Sequence, residues 1–350
     1  MATLTQTAQT TRKALKYGVI ALVVIFVLKI AWGVGTDIWK KIHPPPPPPP
    51  TMAFGPLPKL KFPEKQTPEL SYRLETIQGA LPQFDNIDRV YLSPQKPPNL
   101  LALDRAKQKV RKMGFTGQPE KVNENTYRWT TEITPATTLE MNINTGNFHL
   151  RYQFENDQEL LVQKNLPTNE QAAQEAKSFL QNNGLLTEDL ATGSAEFDYL
   201  KYISPNLIPA ISLSEADFVR VNFFRADLND LRIYPPNPKE ALVSFLFSGS
   251  RLMGKRIIEI KYTYQPIDRN TSATYPLKPI NNAWQELQSK QGYIANLGQN
   301  DDKQITIRKI YLAYYDSEEP QTFIQPIYIF EGDHNFFAYV PAIDPTWTEK

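Results

Sequence analysis

Ala106-Lys107-Gln108-Lys109-Val110-Arg111-Lys112-Met113-Gly114-Phe115 is the stretch on which the fold turns. Leu103, Ala106, Val110 and Met113 recur at helical spacing, which predicts a helix from Asn99 or Leu100 to Met113. Gly114 supplies the C-terminal stop, and Phe115 carries the chain back towards a core. The pattern returns without gaps at Ala176-Lys177-x-x-Leu180-x-x-x-Gly184-Leu185. A third copy, Ala283-Trp284-x-x-Leu287 reaching Gly292-Tyr293, has one extra residue before the glycine. Each copy puts a small residue and a larger aliphatic on one helix face and is followed by strand-like segments. Unrelated amphipathic helices ending at glycine share part of this pattern. The matched spacing and the recurring strands favour duplication of a helix-plus-sheet unit.

Around the helices, alternating β-branched and aromatic residues predict strands. They fall at Leu70–Ile77, Ile87–Leu92, Thr126–Ile133, Thr138–Ile143, Phe148–Phe154, Phe197–Ile203, Phe218–Arg225, Leu231–Tyr234, Ala241–Phe247, Ile257–Tyr264, Gln304–Tyr315, Thr322–Phe330 and Asn335–Val340. Asn144-Thr-Gly146-Asn147 and Asp227–Asp230 read as hairpin turns. The second helix, Asn169–Asn183, opens on a capping box of Thr168 and Gln171. The third spans Ile280–Lys290. The expected fold class is α+β, with helix-on-antiparallel-sheet units over residues 70–165, 166–278 and 279–345.

Outward from the body, Tyr17 to Val34 is apolar but for Lys29, long enough for a hydrocarbon core roughly 30 Å thick. Lys29 can snorkel, and Trp32 and Trp39 suit the interface. This predicts a cytoplasmic tail (residues 1–16), a transmembrane helix (17–39) and a Pro-rich stalk (40–69). Arg12, Lys13 and Lys16 precede the run without an acid, against Lys40, Lys41 and Asp37 after it, which favours a cytoplasmic N-terminus and an extracytoplasmic body. Ala31-Trp32-Gly33 loosely resembles a signal-peptide cleavage site, but Lys29 interrupts a would-be signal core. Pro44 to Pro50, at about 3.1 Å per residue, make roughly 20 Å of semi-rigid spacer.

The body's layout resembles the PepSY-like units of extracytoplasmic bacterial proteins. Its C-terminal part, Pro279 to Ile343, is more specifically similar to the regulatory proteins YycH and YycI. The residues that carry this are Ala283-Trp284-Gln-Glu-Leu287, Gly292-Tyr293, Ile305–Tyr315 with Tyr311-Leu-Ala-Tyr314-Tyr315, and Gln325-Pro326-Ile-Tyr328-Ile-Phe330-Glu331-Gly332. The resemblance implies a regulator that contacts a membrane sensor histidine kinase through its span and outer domain, with no catalytic residues to carry over.

Composition narrows the chemistry. The chain carries +1 and residues 1–50 carry +5, which leaves a body at −4, without the basic balance of a nucleic-acid binder. Absence of cysteine removes disulfides, thiolate metal sites and thiol nucleophiles. No metalloprotease, serine-hydrolase elbow or nucleotide-binding pattern is present, so no enzyme, cofactor or metal is expected. Ser248-Gly249-Ser250 reads as a turn. Glu331-Gly332-Asp333-His334 is the best acid/base or metal candidate, though a polar turn is the ordinary expectation. Asp316-Ser-Glu318-Glu319 reads as a hairpin loop with a weak attraction for cations.

Tyr311, Tyr314, Tyr315, Tyr328 and Tyr339 gather in the last strand group, where half-buried sheet residues are the ordinary expectation. On one solvated face they would form a platform for a peptide or glycan, and Pro326 marks an edge or bulge that could accept a partner strand. The expected function is therefore a non-enzymatic, single-pass membrane interaction module that regulates or assists another envelope protein. A cell-wall glycan or peptide binder is the alternative, and an unrecognised envelope hydrolase a distant one.

Overall fold

The computed structural model describes residues 4–42, 49–65, 68–97, 99–132, 134–300 and 303–349. It divides into two compact units, residues 1–49 and 50–350. The first holds α1 (Leu4–Ile42). Its segment Leu15–Thr36, with mean hydropathy 2.4, is long and apolar enough to cross a membrane. The helix starts at Leu4, within the expected tail. Pro44–Pro48 lie outside the described residues.

In the second unit, β1 (Ser71–Leu74) and β2 (Ile87–Leu92) precede α2 (Ala102–Lys112). A meander follows: β3 (Glu120–Lys121), β4 (Thr126–Thr130), β5 (Thr137–Asn142) and β6 (Phe148–Tyr152). Then come α3 (Gln158–Val162), α4 (Asn169–Asn182) and α5 (Glu188–Thr192). Next are β7 (Ala195–Ile203), β8 (Asn206–Pro209), β9 (Phe218–Phe223), β10 (Ile233–Tyr234), β11 (Val243–Ser248) and β12 (Ile257–Tyr262). The chain closes with β13 (Asp268–Pro276), α6 (Ile280–Gln288), β14 (Tyr293–Asn296), β15 (Gln304–Tyr315), β16 (Phe323–Ile324), β17 (Pro326–Gly332) and β18 (Phe336–Pro341). The body is α+β and mostly sheet.

Nine antiparallel strands run in the order β3-β4-β5-β6-β12-β11-β9-β7-β8. A second sheet runs β1-β15-β17-β18-β14, with β10 also on β15, and a third runs β13-β2-β16. The sheets do not break at 165/166 or 278/279. β6 pairs with β12, β2 with β13, and β1 with β15, so early strands complete late sheets. Strand-pairing groups find partners by proximity in three dimensions, which no local periodicity encodes.

The three helices do lie on sheet. Ala106 and Val110 of α2, and Ala172, Ala176 and Leu180 of α4, share one core with Phe245, Phe247 and Val221 of the nine-stranded sheet. Ala283 and Leu287 of α6 pack with Val340 and Ile294 of the second sheet. The alanines are at most 3% exposed. Each aliphatic partner buried this fully contributes about 1.5–3 kcal/mol. α4 has its full capping box. Gly114 and Gly184 take left-handed conformations at φ 95° and 65°. After α6, Lys290 takes that role at φ 65°, one position earlier in the pattern than Gly114 or Gly184. Gly292 is instead required by packing, because a β-carbon there would lie 2.8 Å from Leu287 Cδ1 and 3.4 Å from Val340 Cγ2.

Thr51–Lys65 is not free stalk. Leu57 is fully buried and bridges to Thr348. Phe62 stacks on Tyr293 at 4.8 Å and leans on Tyr315 at 4.7 Å between ring centres. Proline spacing read as an extended linker here covers a sheet face.

Candidate binding surfaces on the body

The tyrosines proposed as a platform point inward. Tyr314, Tyr315, Tyr328 and Tyr339 are at most 1% exposed, and Tyr311 is half-buried. Their hydroxyls are used internally. Tyr314 donates to the Arg89 carbonyl (3.1 Å), Tyr315 to Lys61 (3.3 Å), Tyr328 to Lys278 (2.8 Å) and Tyr339 to Pro235 (3.1 Å). Tyr311 donates to Glu331 at 3.0 Å and meets the Tyr234 hydroxyl at 3.0 Å. Burial raises the Tyr311 and Tyr314 pKa values far above the usual range and the Tyr328 value to about 12. The condition for a platform, one shared solvated face, is not met. Phe62 and Leu60 cover one side of the sheet, while α6 packs against the core of the other. Pro326 sits on β17, an interior strand between β15 and β18.

The acidic turns are likewise structural. Arg308 grips both oxygens of Asp333 at 2.7–3.0 Å, and Glu331 pairs with Lys309 at 3.0 Å. The Ser248 hydroxyl donates to the Lys255 carbonyl at 2.5 Å and accepts from the Ser250 amide. Asp316, at the start of its loop, turns its carboxylate inward. It is buried, and its Oδ2 accepts from Arg225 Nη1 at 3.1 Å.

That contact belongs to a clasp closing one end of the nine-stranded sheet. Arg225 follows β9, and its Nε donates to Asp189 Oδ2 of α5 at 2.6 Å. Its guanidinium lies 4.6 Å from the Tyr264 ring centre. Asp189 also accepts from Thr187 Oγ1 (2.6 Å) and the Tyr264 hydroxyl (3.1 Å). Burial works to raise the Asp189 pKa, but Arg225 and these donors outweigh it and hold it below the usual value. Burial raises Asp316, against a weaker pull from Arg225. Asp316 Oδ1 is buried with no hydrogen-bond partner among the described residues. Gln265 extends the closure, donating to the carbonyls of Ser317 (2.7 Å) and Glu319 (2.6 Å).

The opposite end of the sheet is open. The strand registers bring together the β7–β8 hairpin, the 210–217 loop, the β11–β12 turn and the segment after β6. Exposed there are Val162 (75%), Ile203, Ile208, Ile211 (92%), Leu213, Leu252 and Met253 (100%). The other exposed large apolar residues of the described body, Ile77, Leu100, Leu101, Val122 and Leu297, are scattered or paired. No aromatic side chain is exposed among the described residues 49–349. Individually, loop aliphatics carry no periodic signal; only the antiparallel registers reveal that they converge.

No family model matches the chain, and no curated protein matches it. Among solved structures it is similar to an uncharacterized protein from Eubacterium rectale ATCC 33656, at 12% identity and a TM-score of 0.34, covering 73% of this chain and 82% of that one.

Proposed function

We propose that this chain is a single-pass, membrane-anchored interaction module without catalysis of its own. Its extracytoplasmic body docks another envelope protein through the open end of the nine-stranded sheet. The observation that carries this reading is the convergence of seven exposed aliphatic side chains on that end. Apolar groups brought together at a surface mark protein contact. A glycan platform draws on exposed aromatic rings, and the described body presents none.

The finer parts of the proposal rest on sequence. Arg12, Lys13 and Lys16 favour a cytoplasmic N-terminus, and the seven prolines serve as a spacer. Likeness to YycH and YycI makes a sensor histidine kinase the first partner to seek. The similar seating of α2, α4 and α6, each with a buried alanine and aliphatic, supports descent from one helix-on-sheet unit.

The test places a photo-cross-linking residue at Ile211 or Met253 of the full chain in native membranes, with Ile77 as an exposed control. The expected result is one protein adduct common to Ile211 and Met253, missing at Ile77 and abolished by Leu252→Asp. A kinase in that adduct supports the finer reading. Equal labelling from Ile77, or retention on isolated peptidoglycan with no protein adduct, overturns the docking assignment.

A further inference from the structure

The closed end of the sheet holds a second feature, independent of the open-end surface. A cavity of about 240 Å³ lies where the Asn144–Gly146 turn, the stop after α4, the chain leaving β12 and the segment after β2 meet. Two ammonium-bearing side chains line it, Lys96 and Lys109, and no carboxylate among the described residues does. Fifteen ion pairs join lysines and arginines to acids across the described residues, yet neither lysine is in one. Lys109 Nζ lies over the hairpin turn, 3.4 Å from where a β-carbon on Gly146 would sit. Of the neighbouring acids, Asp189 is reached through Thr187 and Tyr264 but its charge is already met by Arg225, and Glu319, which precedes Pro320 in the wall, is exposed to solvent.

The surroundings favour anions as well. Along α2, Arg105, Lys107, Arg111 and Lys112 also lack ion-pair partners among the described residues, in a body that is otherwise mildly acidic. Clustered like charges beside a low-dielectric cleft focus the field and draw in counter-charge. Pro94, Pro266 and Pro320 stand in the wall. Fixed backbone at the rim lowers the ordering cost of binding. Thr145 accepts the Asn147 amide through its oxygen at 3.1 Å, which leaves its O–H to donate.

We propose that this cleft binds a small phosphoryl-bearing anion between Lys96 and Lys109. Lysines bind phosphate as point charges, whereas planar carboxylate recognition is served by arginine's bidentate fork, and no arginine among the described residues lines the cavity. Bringing two like charges to one cleft is unfavourable without a ligand: desolvation and then the Lys96 charge lower the Lys109 pKa. A bound dianion reverses the second effect.

The experiment uses the full chain in a neutral detergent, with thermal unfolding followed against inorganic phosphate, phenyl phosphate and acetate, each compared with chloride at equal ionic strength. Short-chain phosphatidic acid below its micellar concentration distinguishes a lipid headgroup from a soluble source. The expected result is a saturable rise in midpoint with a phosphoryl probe and none with acetate. Lys96→Gln/Lys109→Gln should weaken apparent affinity at least tenfold while retaining the strand circular dichroism of the parent. Lys201→Gln, on the open half, should leave it unchanged. Equal stabilisation by acetate, an undiminished effect in the double variant, or no saturation by any phosphoryl probe overturns the assignment. The cross-linking result at Ile211 and Met253 is unaffected by any of these outcomes.

Discussion

Replacing Arg225 with methionine tests whether the clasp holds the closed end together. The guanidinium is 6% exposed and lies 2.6 and 3.1 Å from two carboxylates that are 10% and 6% exposed. At an effective dielectric of about 20, each unit-charge pair near 4 Å is worth roughly 4 kcal/mol before desolvation is subtracted. Removing one partner of a buried pair costs about 3–5 kcal/mol, because the remaining charge keeps its desolvation penalty. Here two carboxylates are stranded, so the upper half of that range is expected. At about 2–4 °C per kcal/mol, the midpoint falls by roughly 8–20 °C. The assay is thermal unfolding of the full chain in detergent, followed by strand circular dichroism. Without Arg225, both carboxyls have folded pKa values above their unfolded values. Stability of the variant therefore recovers as pH falls and the carboxyls protonate, and Asp189→Asn/Asp316→Asn added to it restores most of the loss. A loss below about 1 kcal/mol, or an effect indifferent to pH, would refute the reasoning.

Four further outcomes follow from the structure. Because burial raises the Asp316 pKa above its ordinary 3.8, its contribution is present below that value and is lost as pH rises through the raised folded pKa. Asp316→Asn should flatten the corresponding decline in unfolding midpoint above pH 3.8. Thr168→Ala removes half of the α4 capping box and should cost about 0.5–2 kcal/mol in denaturant unfolding. Gly184→Ala is strained by its positive φ alone, with no neighbour within 4 Å, and should cost about 1 kcal/mol. Gly292→Ala has ordinary φ but meets Leu287, so adding Leu287→Ala should rescue part of its loss and none of the loss at Gly184.

Elements with a strong local signal were legible. α4 begins at its capping box, β15 runs over the alternating Gln304–Tyr315, and α2 stops just before Gly114 as the spacing requires. β13 was not recognised. Asp268–Pro276 is polar and carries no strand alternation, yet it pairs with β2 because that edge needs a partner. For the tyrosines, composition indicated half-buried sheet residues or a platform. Burial of Tyr315 and Tyr339 depended on Thr51–Lys65 folding back across a sheet that lies more than 200 residues away in sequence, while Tyr328 packs with α6 and Tyr314 with Tyr91.

The sequence by itself determined the apolar N-terminal helix, the α+β class and the seating of three helices through an alanine and an aliphatic, because these depend on hydropathy and helical period within a few turns of chain. Only the tertiary structure decided which sheets closed and which end of the large one stayed open. It joined Arg225 to an aspartate 91 residues away, gathered the exposed aliphatics of four separate segments, and set Lys96 beside Lys109 without an acid. Such features depend on distances between remote residues, and chain pattern specifies those only after the strands have paired.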